Sequence, residues 1–229
     1  MIHIKKKEYD FKGASSYHKE WSTRVFDIIG EPLSVFLIKC TKMTPNQCSM
    51  LSFIFGLVGG IFFLQGGFIN QVIGASFAFL YNIFDMIDGR IARARHISTK
   101  MGKWLDAIID FFIFPYLIFT LAYGMGTYMA ALVGMLAIIS YNTHYLIVFF
   151  YKFEMTGNKP IGIPGKGKLE WIRYIYGSNV FYLVLLIAVL VKAPMAVLWI
   201  WAIFGNLYWM AILIVQYQNL RRFGLDKHG

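Results

Sequence analysis

The sequence predicts an all-α integral membrane protein: six transmembrane helices plus an N-terminal amphipathic interfacial helix. Three observations lead there. Of 229 residues, 58% are hydrophobic and 15% charged, and the mean hydropathy is +0.56, which is too little charge for a soluble domain of this length. Six apolar stretches, near 45–66, 70–95, 103–124, 127–152, 171–192 and 194–218, reach the roughly 20 residues that a bilayer-crossing helix needs. The basic residues then fall almost wholly on one side of that arrangement, as they do in cytoplasmic loops.

Residues 1–25 are polar and basic without an early apolar core, so no cleavable signal is expected there. Residues 1–17 read as a loose cytoplasmic lead, and 18–41 as a helix at the membrane surface. Trp21, Val25, Ile28, Ile29 and Leu33 point one way at mixed three and four spacing, and Glu20, Arg24, Asp27 and Glu31 the other. Residues 26–41 are too short and too charged for a comfortable span, and a seventh span would put the C-terminus outside and spoil the charge bias. Thr44-Pro45-Asn46 opens the first span. Thr44 can cap it, and Pro45 at the first helical position lacks an N–H that would be unpaired anyway. Gln65-Gly66-Gly67 and Gly124-Met125-Gly126 read as external turns. The stretch 153–170, with Gly157, Gly162, Gly165, Gly167, Pro160 and Pro164, reads as a polar loop able to act as a lid. Neither an internal repeat nor a soluble second domain is visible. Residues 1–229 are therefore expected to form a single membrane domain: 1–41 as lead and interfacial helix, 45–218 as the six-helix bundle, 219–229 as a cytoplasmic tail.

Six spans place both termini on one side. Lys and Arg before the first span, between spans two and three, between spans four and five, and in the tail all fall there, and Lys192 alone falls opposite. The termini are thus expected at the cytoplasmic face, of the inner membrane if the source is bacterial. The net charge of +10 is read as this bias plus attraction to anionic membrane lipid; no aromatic-basic signature of a nucleic-acid partner is present. Cys40 and Cys48 lie near the cytoplasmic end of the first span and are expected to be free thiols.

Four aspartates interrupt this apolar pattern. Residues Asp85 to Asp110 spell D-x2-D-G-x2-A-R-x8-G-x3-D-x3-D, with Gly89, Ala92, Arg93 and Gly102 at the fixed small and basic positions. Asp85 and Asp88 are three apart, with Ala92 four beyond Asp88, so they share one face of a helix. Gly102, Asp106 and Asp110 are spaced by four and share one face of the next. The turn between the helices is short, so their acidic faces can meet. Asp85 lies about 15 Å below the cytoplasmic end of its span. Carboxylates at such depth are costly and normally functional. Four together need cations to offset them, and all-oxygen ligation suits Mg²⁺, Mn²⁺ or Ca²⁺ rather than zinc. Two ions about 3.5–4 Å apart are the usual clamp for a phosphate in displacement chemistry. The small residues would let a ligand or the facing helix approach the backbone, and Arg93 could hold a phosphate oxygen bidentately. A cation- or proton-coupled transporter would also use intramembrane Asp, but its expected mark is paired inverted halves with broken helices. Here the acids cluster at one face, in one half of the chain.

The stretch Asp85 to Asp110 resembles the signature of the CDP-alcohol phosphotransferases, integral membrane enzymes of phospholipid head-group synthesis, at all eight fixed positions. The Thr-Pro-Asn element, the six spans and the N-terminal helix extend the resemblance loosely to the whole chain. The resemblance implies transfer of a phosphatidyl group from a CDP-linked lipid such as CDP-diacylglycerol to a small alcohol, with release of CMP. It implies a cytoplasm-facing site with Mg²⁺ or Mn²⁺, two ions, and a homodimer. Asp85, Asp88 and Asp106 would ligate metal and grip the diphosphate. Asp110 would border the metals and act as general base. Gly89, Ala92 and Arg93 would line the CDP pocket, Gly102 would allow close approach, and Asn46 would touch the nucleotide.

The acceptor alcohol is less legible. His144, mid-span beside Ser140, Tyr141 and Asn142, and the basic set Lys166, Lys168 and Arg173 are candidate acceptor-binding residues. The bland readings are a hydrogen-bonded structural histidine and ordinary cytoplasmic bias. Branches of the resembled family that use phosphorylated alcohols tend to carry an Arg or Lys just after the final Asp. This chain has Phe111 and Phe112 there. Aromatic rings can border a neutral, zwitterionic or cationic alcohol but cannot neutralise a phosphate, so the sequence leans to a serine- or choline-like acceptor. The alternative is the same chemistry with glycerol 3-phosphate or inositol phosphate, the basic set supplying the charge.

Overall fold

The computed structural model describes residues 21–155 and 177–222, and all regular structure among them is helical. In chain order the helices are α1 (Trp21–Cys40), α2 (Pro45–Leu64), α3 (Phe68–Ala94), α4 (Lys100–Gly124), α5 (Tyr128–Phe150), α6 (Ser178–Leu190) and α7 (Pro194–Arg222). A π-helical turn, Tyr151–Met155, continues α5. Five helices are long and apolar enough to cross a membrane: α2, α3, α4, α5 with its π-turn, and α7. The expected span 171–192 is represented only by the 13 residues of apolar α6, because its beginning lies outside the described residues. So do the lead 1–17 and most of the 153–170 loop.

The helix starts follow their local chemistry. Thr44 caps α2 through a reciprocal pair: its hydroxyl accepts from the Gln47 N–H at 3.3 Å, and Gln47 Oε1 accepts from the Thr44 N–H at 2.9 Å. Thr99 and Thr127 cap α4 and α5 in the simpler way, accepting from Gly102 N and Ala130 N.

Helix α2 packs against both α3 and α4, α5 packs against α7, and α6 packs against α3. Small residues set these approaches, as expected where lipid removes the hydrophobic drive between helices. A Cβ on Gly59 would stand 2.9 Å from the Gly74 carbonyl. Gly60 leaves room for the Tyr116 ring, which would lie 2.1 Å from its Cβ, and the Tyr116 hydroxyl donates to the Leu57 carbonyl at 3.2 Å. At the far turn a Cβ on Gly124 would fall 1.8 Å from the Phe63 carbonyl, while Gly66 sits at φ +65°, the left-handed region.

Helix α1 buries a face of Ser22, Thr23, Phe26, Ser34, Leu37 and Ile38, with Leu33 packed partly against the core, and leaves Val25, Ile28, Ile29 and Phe36 exposed. The apolar residues that the sequence put on one face thus include an outward stripe, the placement lipid would favour. The opposite face is not simply solvated. Asp27 pairs with Arg90, whose side chain is 4% exposed, because a buried guanidinium needs a counter-charge. The sequence counted Arg90 and Arg95 only among the basic residues between spans two and three. Arg95 instead donates to the carbonyls of Leu37, Ile38, Thr41 and Met43. It closes the C-terminal end of α1, where carbonyls lack intrahelical partners.

Candidate metal centre

Helices α3 and α4 bring Asp85, Asp88 and Asp106 together. Oxygens of Asp85, Asp88 and Asp106 all lie within 4.8 Å of one another. Asp88 Oδ2 accepts from the Ser49 hydroxyl of α2, which also donates to the Pro45 carbonyl at 3.1 Å. Asp85 Oδ1 is buried and has no hydrogen-bond partner. A buried carboxylate oxygen left unsatisfied beside two more carboxylates costs free energy unless a cation completes it. The residues therefore fit a divalent metal of the hard, oxygen-preferring kind, Mg²⁺ or Mn²⁺.

Asp110 shares the acidic face of α4 with Asp106. It lies one turn beyond Asp106, and its Oδ1 accepts from the Tyr81 hydroxyl at 2.5 Å. The expected nucleotide residues gather near the same end of the bundle. The Arg93 guanidinium lies beside Gly89, with Nη1 3.0 Å from where a Cβ would be. Gly102, in the first turn of α4, faces Asn46, in the first turn of α2: a Cβ on Gly102 would stand 3.4 Å from Asn46 Oδ1. Ala92 is half-buried on α3.

The acceptor candidates fare differently. His144 is half-buried on α5, its ring 5.1 Å from that of Tyr208 on α7 and 6.2 Å from Tyr145. It does not join the carboxylate group. Lys166, Lys168 and Arg173 lie outside the described residues. The aromatic run after Asp110 is engaged in packing. Phe111 meets Tyr145 at 5.4 Å, Phe112 meets Tyr116 at 5.7 Å and Phe53 at 5.9 Å, and Phe114 stacks on Tyr141 at 3.7 Å.

Two residues escaped the sequence reading. Ser49 lies three after Asn46, and Tyr81 four before Asp85, so both carry a faint periodic signal. Their bonds to aspartates on other helices carry none.

The profile of the CDP-alcohol phosphatidyltransferases matches residues 42–214. The chain belongs to the CDP-alcohol phosphatidyltransferase family. The trio of carboxylates offers a place for the divalent metal that membership of this family implies. Among curated relatives, the phosphatidylinositol phosphate synthase of Corynebacterium glutamicum is 39% identical over 83 residues, 36% of each chain. The bifunctional IPC transferase and DIPP synthase of Aquifex aeolicus is 31% identical over 72 residues, 31% of this chain and 16% of that one. The chain thus covers well under half the length of these relatives. Crystal structures of the Mycobacterium tuberculosis phosphatidylinositol phosphate synthase share the phosphatidyltransferase's fold. The one with CDP-DAG bound gives TM-score 0.58 at 18% identity, covering 85% of this chain and 92% of that one. The complex with manganese and citrate gives 0.59 at 19%, covering 84% and 88%.

Proposed function

We propose that this phosphatidyltransferase moves the substituted phosphate of a CDP-linked lipid, such as CDP-diacylglycerol, onto the hydroxyl of a small alcohol and releases CMP. The observation that carries the reading is the carboxylate trio with its unsatisfied Asp85 oxygen, with Asp110 one helical turn beyond Asp106. Asp85, Asp88 and Asp106 would hold the metal, with Asp88 oriented by Ser49. Bound there, divalent metal would neutralise the diphosphate and stabilise the departing CMP. Arg93 and Asn46 border the nucleotide side. Asp110 takes the proton of the incoming hydroxyl, the work of a positioned general base.

For the acceptor, a phosphorylated alcohol is the better supported class. The relatives' names refer to inositol phosphate products or to related transfers, and the rings of Phe111 and Phe112 are already in contact with neighbouring rings. The second reading, a serine- or choline-like alcohol, keeps one observation in its favour: both rings retain exposure, 40% and 51%, and no cation takes their positions in the chain. The test is CMP release by the purified protein with CDP-diacylglycerol and a panel of alcohols. Release with inositol phosphate or glycerol 3-phosphate, ended by chelation, is the expected result. Release only with serine or choline selects the second reading. No CMP with any alcohol, together with cation flux in vesicles, overturns phosphotransfer in favour of transport.

The site is placed at the cytoplasmic face on the strength of the basic bias. On a cysteine-free background, single cysteines at Gly67 or Thr127 are expected to react with an impermeant maleimide in intact cells. Cys40 alone, or Thr99→Cys, is expected to stay unlabelled until the cells are lysed. Labelling of Thr99→Cys in intact cells would reverse the orientation.

A further inference from the structure

Tyr81 has no part in the chemistry above, yet it is among the most deeply buried large side chains, 0% exposed. Its ring is wedged against Tyr182 of α6 at 5.4 Å, and Tyr182 in turn meets Phe181 at 5.2 Å. The ring therefore has little freedom to turn. A tyrosine buried in this way must find an acceptor for its hydroxyl. Here the hydroxyl crosses from α3 to α4 and takes one oxygen of Asp110.

We propose that Tyr81 is a positioning residue for phosphotransfer: it holds Oδ1 of Asp110 and thereby leaves Oδ2 as the oxygen presented to the acceptor hydroxyl. The proposal rests on the reading of Asp110 as the general base. In the step it serves, the acceptor oxygen forms a bond to the β-phosphorus as the bond from that phosphorus to the CMP oxygen breaks. The hydroxyl proton passes to Oδ2, and CMP leaves with the electron pair of the broken bond. An aspartate carboxylate turns easily about its last torsion, which is broad rather than three-welled. Anchoring one oxygen to a rigid phenol fixes where the other points, and such alignment is a recognised share of a catalytic barrier.

Tyr81→Phe keeps the ring and its packing and removes the hydroxyl that anchors Asp110. The expected result is a kcat lower by about tenfold or more, with unchanged KM for the CDP-linked lipid and an unchanged melting temperature. Adding Tyr81→Phe to Asp110→Asn is expected to leave the residual rate of that variant where it was, because the anchor acts through the carboxylate. Full kcat in Tyr81→Phe alongside an inactive Asp110→Asn overturns the proposal and leaves the base assignment standing. An equal fold-loss in both backgrounds also overturns it, as does a lowered melting temperature with a raised KM, since either marks a packing role. Full turnover in Asp110→Asn removes the base assignment and the proposal with it.

Discussion

Asp110→Asn is expected to lower CMP release by about 10²–10⁴-fold, the usual worth of a general base, while CDP-lipid binding stays close to that of the parent. The substitution is nearly isosteric. Asn can present its carbonyl oxygen to the Tyr81 hydroxyl where Asp110 Oδ1 now accepts, so the side chain keeps its place. What changes is the other atom, now an amide nitrogen that cannot accept a proton. Asp85, Asp88 and Asp106, whose oxygens converge within 4.8 Å, are untouched, so metal and nucleotide should still be held. Calorimetric titration of the variant with CDP and Mg²⁺ separates the two effects. Binding lost in step with turnover would deny Asp110 a role distinct from that of its neighbours.

Asp85→Asn and Asp106→Asn are expected to do the opposite, losing metal and CDP binding together by at least about a hundredfold. Substituting a partner that merely orients a metal ligand already costs 10–100-fold, and these residues would be the ligands themselves. Asp85 is the more severe case. Its Oδ1 is buried without any protein partner, so an amide there can strand a buried N–H₂ beside the cation instead of a charge that attracts it. The same titration, run with Mg²⁺ and Mn²⁺ in turn, checks it. Normal CDP affinity in Asp85→Asn would mean that the metal sits elsewhere.

Much of the site was readable because its signals are local. The spacing of Asp85, Asp88, Asp106 and Asp110 is a statement about two helix faces, and two antiparallel helices with a short turn have few ways to arrange such faces. Thr44 and Pro45 were readable for the same reason: caps and first turns are decided within four residues. Pairings across the fold were not. The bonds from Ser49 to Asp88 and from Tyr81 to Asp110 join residues 39 and 29 positions apart, and no periodicity foretells which serine or tyrosine will be opposite. Arg90 and Arg95 show how a sound rule hides a particular use. Counted as loop charges they support the orientation, yet one neutralises Asp27 inside the protein and the other closes the end of α1. The acceptor resisted for a further reason. Its basic candidates lie in 156–176, and the only candidate inside the described helices, His144, packs on Tyr208 instead.

The contact of Gly124 with the Phe63 carbonyl, at the end of α4 remote from the carboxylates, gives that helix a fulcrum. From Gly124 back to Asp106 the helix is a lever about 27 Å long, at 1.5 Å per residue. A tilt of about five degrees about the glycine then displaces the Asp106 carboxylate by about 2 Å, roughly the length of a metal–oxygen bond. The seating of α4 at Gly124 is therefore expected to bear on the spacing of the carboxylates. A side chain as small as a methyl group at Gly124, far from any ligand, would act on the enzyme as a mistuned jaw rather than as a loosened core.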